Sequence, residues 1–113
     1  MTNTKSIQTE RLELPSYGEI EIVDLVVSRY ATYNNTAIAL TCSDSREPYG
    51  ALTVNIQPLK NGIAAVDTNN IPDAEEFIKK YNLGKPLGTT LQSGFCEYPL
   101  YNFSELVAQV GEV

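Results

Sequence analysis

The chain of 113 residues contains no histidine. Histidine is the usual base for serine and cysteine nucleophiles and a frequent zinc ligand, so its absence removes both kinds of site in their common forms. Cys96 would need a nearby positive charge to become a reactive thiolate, and the adjacent Glu97 has the opposite sign. We therefore predict that the protein is not an enzyme and that it holds no metal or cofactor.

Motifs for phosphate and calcium are incomplete. Residues 84–90 (GKPLGTT) contain letters of a phosphate-binding loop, but the lysine follows the first glycine and the segment leaves a helix instead of opening one. Residues 67–73 (DTNNIPD) carry oxygen ligands at alternate positions, but proline stands where a calcium loop needs glycine. We interpret Asp67, Asn69 and Asn70 as an Asx turn followed by a helix cap.

Basic residues are few, since 8 Lys and Arg stand against 14 Asp and Glu, for a formal charge of -6. This balance argues against direct binding of a nucleic-acid backbone or of an anionic membrane. No apolar run approaches the roughly 20 residues of a membrane helix, and the N-terminus lacks the apolar core of a signal peptide. We predict a cytoplasmic protein whose Cys42 and Cys96 are packed thiols, although a disulfide between them is possible by count.

The hydrophobic pattern predicts one domain of the α+β class over residues 10–113, after a flexible tail over residues 1–9. Alternating apolar positions indicate five to seven strands in a mainly antiparallel sheet, and residues 51–57 form the clearest of them. In residues 18–30 the apolar positions change parity between Ile22 and Val23, which indicates a β-bulge or a change of packing face.

Helical periodicity occurs twice. One apolar stripe predicts a central helix at about residues 72–82, packed on one face of the sheet, with Asn69 or Asn70 as its cap. Its members recur at helical spacing and are Ala74, Phe77, Ile78 and Tyr81. A second stripe predicts a short C-terminal helix that begins near Ser104.

Glycines punctuate the return from the central helix. We expect Gly84 to end the helix in the left-handed conformation. Residues 87–91 and 95–103 then predict a further strand pair, broken at Ser93 and Gly94, and we assign a structural role to Gly88. Pro99 predicts that its strand lies at a sheet edge or at a bulge, because proline cannot donate to a ladder.

The seven tyrosines are the most suggestive side chains. Tyrosines exposed beside carboxylates would form a protein-binding surface, since aromatic residues anchor interfaces. The candidate partner-binding residues are Tyr49, Tyr98, Tyr101 and Glu97. An edge strand, either residues 11–14 or the strand ending at Phe103, could also pair across the axis of a homodimer.

Four segments together resemble a family of small bacterial and phage proteins classed as a domain of unknown function. They are residues 48–55 (PYGALTVN), 66–70 (VDTNN), 83–88 (LGKPLG) and 92–101 (QSGFCEYPLY). The similarity covers roughly residues 36–103, and the last segment is the most distinctive. The resemblance implies an accessory protein of phages, plasmids or conjugative elements, and it implies no activity, cofactor or catalytic residue.

Three functional hypotheses follow. The leading one is a non-catalytic binding protein whose partner is another protein. The first alternative is an anti-defence inhibitor whose acidic surface imitates nucleic acid, which requires carboxylates at phosphate spacing. The second alternative is a small enzyme with a pocket near the helix entry, built from Cys96, Asp67, Asn69, Asn70 or Thr89.

Overall fold

The computed structural model of the chain describes residues 9–110. Within that range, eight strands form two antiparallel sheets, and two short helices pack against them. The strands are β1 Leu12–Ser16, β2 Glu19–Arg29, β3 Thr36–Cys42, β4 Pro48–Ala51, β5 Thr53–Val54, β6 Ile63–Val66, β7 Lys85–Ser93 and β8 Cys96–Asn102. The helices are α1 Ala74–Lys80 and α2 Ser104–Val110.

The α+β class, the antiparallel pairing and the short C-terminal helix are confirmed. The predicted strand number is wrong, because eight strands in two sheets replace one sheet of five to seven. The first sheet has the order β1-β2-β3-β4 and the second has the order β5-β6-β8-β7. The predicted tail lies outside the described residues except for Thr9, whose carbonyl accepts a hydrogen bond from the Leu25 amide at 2.8 Å.

Leu52 joins the two sheets, and this is why the predicted strand at residues 51–57 divides into β4 and β5. The Leu52 amide donates to the Ile38 carbonyl of the first sheet at 2.8 Å. Its own carbonyl accepts from the Asp67 amide at the end of β6, at 2.9 Å. The chain therefore passes from one sheet to the other at a single residue, whose side chain is fully buried.

Strand β2 runs through the predicted phase change without a bulge. Its register with β1 and β3 is continuous, so Ile20 and Ile22 simply lie on the face opposite to the buried Val23 and Val27. The irregular points are elsewhere, in β3–β4 and in β7 between Pro86 and Thr90. Pro99 pairs with Thr90 where that second irregularity ends, so the bulge prediction for Pro99 is confirmed, although β8 is an inner strand.

Helix α1 is shorter than predicted and contacts both sheets instead of lying on one face. Ala74, Phe77 and Ile78 are buried, which confirms most of the apolar stripe. The Tyr81 hydroxyl, just past the helix, accepts from the Glu13 amide of β1 at 2.8 Å. On the other side Tyr101 of β8 donates to the Glu75 carboxylate at 2.6 Å.

Both predicted ends of this helix need correction. Its N-cap is Asp73, which makes no side-chain capping bond. The predicted caps, Asn69 and Asn70, lie before this position, and Asn70 is hydrogen-bonded to Asp67 instead. At the other end Asn82, not Gly84, has the left-handed φ of 54°. The Asn82 and Leu83 amides donate back to Lys79 and Ile78 at 3.2 and 2.9 Å, which is the Schellman arrangement.

Gly84 serves a packing role. A Cβ built at this position would lie 2.7 Å from Cδ1 of Phe103, a fully buried ring of the core. Only glycine lets the chain pass this close to that ring before it enters β7. In residues 9–110, no helix has the length and apolar character that a membrane span requires.

Candidate functional site

The hairpin of β7 and β8 extends past the rest of its sheet. Strand β6 pairs with β8 only at residues 100–102, so that residues 96–99 of β8, within the described chain, pair with β7 alone. We call residues 87–99 the arm. Eight of the nine residues of β7 are exposed, and Leu91 is half-buried. The arm is therefore a two-stranded ribbon that carries no core of its own.

A two-residue turn, Gly94-Phe95, closes the arm. Gly94 has a φ of 63°, which suits the first central position of a type II′ hairpin turn. This turn places Phe95 at the tip with 106% of its reference surface exposed. Leu87, near the base of the arm, is 42% exposed. Glu97 is the one charged residue among positions 87–99.

A groove lies at the base of the arm, between α1 and the start of β7. Its volume is about 540 Å³, in the range of small-ligand pockets. Its lining consists of Glu75, Glu76, Lys79, Asn82, Gly84, Lys85, Pro86 and Tyr101. A smaller recess of about 240 Å³ continues past Gly84 toward Ser104 and Glu105.

Tyr101 is the polar centre of this groove. Its side chain is only 5% exposed, and its hydroxyl donates to the Glu75 carboxylate at 2.6 Å. Burial, and then the nearby Glu75 carboxylate, raise the pKa of the Tyr101 phenol well above its usual value. The phenol therefore stays protonated at neutral pH and acts as a fixed donor between β8 and α1.

The structure brings three of the four predicted partner-binding residues onto one hairpin. Glu97 and Tyr98 lie on the arm, and Tyr101 lies at its base with its ring buried. Tyr49 is separate, because it belongs to β4 of the first sheet and its hydroxyl contacts the Ser16 hydroxyl at 2.6 Å. The hydrogen bond with Cys96 raises the pKa of the Tyr98 phenol.

Sequence reasoning missed Phe95 and Leu87 as surface residues. The available signal was the spacing, because two residues that include a glycine between alternating strands are typical of a tight hairpin. Such a turn necessarily places its second central residue at the tip of the ribbon. The predicted strand over residues 95–103 therefore begins one residue too early, because Phe95 lies in the turn.

The residues assigned to structural roles are spread over several elements. Asp67 is 6% exposed and accepts from the Asn70 amide and side chain at 3.2 and 2.8 Å, so its carboxylate holds the loop before α1. Gly88, with a φ of 80°, lies in the irregular part of β7. Cys42 and Cys96 are free thiols in different sheets. Among the described residues, no group of three or more potential ligands could hold a metal ion.

The polar residues proposed for an enzyme pocket do not meet in the groove. Its lining contains neither Asp67 nor Cys96, and Asn69 and Thr89 are exposed elsewhere on the described chain. Asp67 is occupied by Asn70. Tyr101 and Glu75 form a hydrogen-bonded pair at the groove, and Lys85 pairs with Glu105 of the adjoining recess at 3.7 Å.

Residues 24–109 match the family model described as Domain of unknown function (DUF4313). The chain belongs to the DUF4313 family. The match begins within β2 and ends within α2, so the DUF4313 region contains the whole arm and the groove at its base, whereas β1 lies outside it. No curated protein and no solved structure matches the chain.

Proposed function

We propose that this DUF4313 protein is a non-catalytic accessory protein of a bacterial mobile element, and that it binds another protein in the cytoplasm through its arm. The observation that carries the proposal is the exposed arm itself. Phe95 stands at its tip, Leu87 near its base and Tyr98 along its side, on a ribbon with one charged residue.

The stability of the arm supports this role. A two-stranded hairpin is marginally stable in water unless a further layer covers it. Here residues 96–99 of β8 have only β7 beside them in the described chain, and Leu87 of β7 and Phe95 of the turn are exposed. A partner that covers these side chains would supply the missing apolar burial, at roughly 25 cal/mol per Å².

Charge favours a protein as the partner. A nucleic-acid surface needs clustered Lys and Arg, and positions 86–99 contain neither. An exposed aromatic residue such as Phe95, on a nearly uncharged surface, is typical of the centre of a protein interface. The free thiols of Cys42 and Cys96 fit a reducing compartment, and the resemblance to mobile-element proteins supports the accessory role.

Site-specific photo-crosslinking tests the proposal. A photoreactive phenylalanine analogue replaces Phe95 in the full chain, and the cells that make the protein are irradiated. We expect one prominent protein adduct, which mass spectrometry then identifies. The matched control carries the same analogue at Tyr17, which is 77% exposed in the turn between β1 and β2, and should give no such adduct. Equal labelling from both positions, or none from position 95, would contradict the proposal.

A further inference from the structure

The outer edge of β7 differs from the other sheet edges of the described chain. The β1 edge carries Glu13 and Pro15, and the Glu13 amide is bonded by Tyr81. Strand β4 has four residues and begins with proline, and β5 has two. Strand β7 has nine residues and is uncharged after Lys85. Long, uncharged edges invite a further strand, and proteins normally protect them with charge, proline or cover.

The hairpin register shows which backbone groups of β7 face this edge. Ser93 and Cys96 flank the two-residue turn, so they form a hydrogen-bonded pair, and pairs of the two kinds alternate from there. Leu91 therefore bonds to Tyr98, whereas the amides and carbonyls of Thr90 and Gln92 point outward. Pro99, opposite Thr90, agrees with this assignment because a non-hydrogen-bonded position needs no N–H.

The sequence along this edge is symmetric by residue class. Residues 87–95 read LGTTLQSGF, and positions at equal distance from Leu91 hold residues of the same class. From the centre outward these pairs are two polar residues, two hydroxyl residues, two glycines and two apolar residues, namely 90 with 92, 89 with 93, 88 with 94 and 87 with 95. The two glycines at equal distance from Leu91 are Gly88 and Gly94, and both have positive φ, at 80° and 63°. The kinks that limit the regular part of the strand are thus placed symmetrically.

We propose that a second copy of this chain occupies the β7 edge, in an antiparallel pairing about a two-fold axis at Leu91. The inference rests on the proposed protein-binding role of the arm and names its partner. Thr90 of each copy then pairs with Gln92 of the other, which satisfies the outward amides and carbonyls. Leu91 faces its own counterpart, and Phe95 of each copy lies beside Leu87 of the other, next to Pro86 at the rim of the groove.

Electrostatics permits this seam even though each copy has a formal charge of -6. The paired residues 87–95 carry no charge, so no like charges meet within the seam. The β1 edge, in contrast, would place two copies of Glu13 close together. The β7 seam joins the second sheet of one copy to the second sheet of the other, which gives one continuous sheet of eight strands. Because the seam is short, we expect a dimer in the micromolar range.

Charge complementation at Leu91 tests the axis. In sedimentation equilibrium over a wide concentration range, the wild-type chain should form dimers, and L91K or L91E alone should be monomeric. Facing like charges should raise the dimer dissociation constant by roughly 100-fold or more. An equimolar mixture of the two variants should restore the dimer, since unlike charges then meet at the axis. Circular dichroism verifies that each variant is folded.

A cysteine pair gives an independent reading that needs no charge change. With Cys42 and Cys96 replaced by serine, L91C should oxidise to a covalent dimer, because a non-hydrogen-bonded pair brings the two Cα atoms to about 4.5 Å. The matched control is Gln92→Cys, whose counterpart across the axis lies opposite Thr90 and beyond disulfide reach. Equal crosslinking of the two variants would contradict the register.

The outcomes separate this inference from the proposed function. A wild-type chain that stays monomeric at high concentration, or a dimer that survives L91K, overturns the self-pairing. An adduct from position 95 to a different protein overturns it as well, while the protein-binding role of the arm stands. An adduct to a second copy supports both. The absence of any adduct removes the protein-binding role, and the self-pairing falls with it.

Discussion

Strands β1 and β7 are both outermost strands, and they are stabilised in opposite ways. In β1, Leu12 and Leu14 are fully buried, and helix α1 contacts the strand through Tyr81 and Lys80. In β7, almost every side chain is exposed, and the neighbouring element in the described chain is β8. Strand β1 is therefore stabilised by the burial of its side chains, whereas β7 is stabilised by its hydrogen bonds to β8. This difference separates a structural edge from an edge suited to binding.

The family match agrees with that separation. It begins at residue 24, so it omits the protected β1 edge and includes the exposed β7 edge with its arm. The region that the family shares, residues 24–109, therefore includes the arm but not strand β1. A surface of this kind has few buried contacts, and it should open more readily than the core around α1.

The largest expected contrast is between two phenylalanines. Phe77 is 1% exposed on α1, and Phe77→Ala should lower the free energy of unfolding by about 3–5 kcal/mol, because it leaves a cavity between the helix and the sheets. Phe95→Ala removes a ring that contacts solvent and should change it by less than about 0.5 kcal/mol. Urea denaturation measures both at a protein concentration low enough to keep the chain monomeric. A large loss for Phe95→Ala would show that the arm is packed on the body.

A smaller effect is expected where the arm joins the body. Gly84→Ala places a methyl group 2.7 Å from the Phe103 ring, and the resulting overpacking should cost about 1–3 kcal/mol. Gly50→Ala in β4 is the matched control, because its Cβ meets no atom within 4 Å and should change stability by less than about 0.5 kcal/mol. Thermal unfolding of both variants measures the difference. Equal midpoints would mean that Phe103 moves aside without cost.

Local patterns predicted the elements whose stability is local. The apolar stripe of α1 and the C-terminal helix follow from residues near each other in the sequence, and both are confirmed. The predictions for the ends of α1 were wrong because both residues have other roles. Asn70 is hydrogen-bonded to Asp67, and Gly84 packs against the ring of Phe103. Such competition depends on tertiary contacts that periodicity does not encode.

The division into two sheets depends on the backbone hydrogen bonds of Leu52, whose two partners are distant in sequence. Leu52, Val54 and Ile56 are separated by single polar residues, and this period of two favours one continuous strand. Its backbone instead bonds to Ile38 and Asp67, which lie in different sheets. The arm was missed for a related reason, because apolar letters at positions 87–100 predict burial and only the short reach of β6 leaves them uncovered. The sequence therefore predicted Glu97, Tyr98 and Tyr101 of the candidate site, but it predicted neither the exposed Phe95 and Leu87 nor the shape of the arm.

The smallest effect concerns acid, and it should arise in the first sheet. One oxygen of Asp24 accepts from the Ser43 hydroxyl at 2.6 Å and from the Arg11 amide at 2.8 Å, which ties the start of β1 and the loop after β3 to β2. The Ser43 hydroxyl, and then the Arg11 amide, hold the pKa of the Asp24 carboxyl below its usual value. A lowered pKa in the folded state adds stability above the unfolded value, and this stability is lost as pH falls through the folded value.

Asp24→Asn keeps an acceptor oxygen but removes the charge, so it isolates this contribution. We expect a loss of about 0.5–1 kcal/mol at pH 7, below the usual range for charged hydrogen bonds because the carboxylate is partly solvated. The difference from the wild-type chain should shrink below about pH 4, where the wild-type carboxyl also becomes neutral. Urea denaturation at several pH values measures it, and Ser43→Ala, which deletes the strongest donor, should reduce the same acid-sensitive part. A difference that stays constant from pH 7 to pH 3 would mean that the Asp24 charge does not fasten β2 to its neighbours, and acid sensitivity would then offer no distinction between the first sheet and the arm.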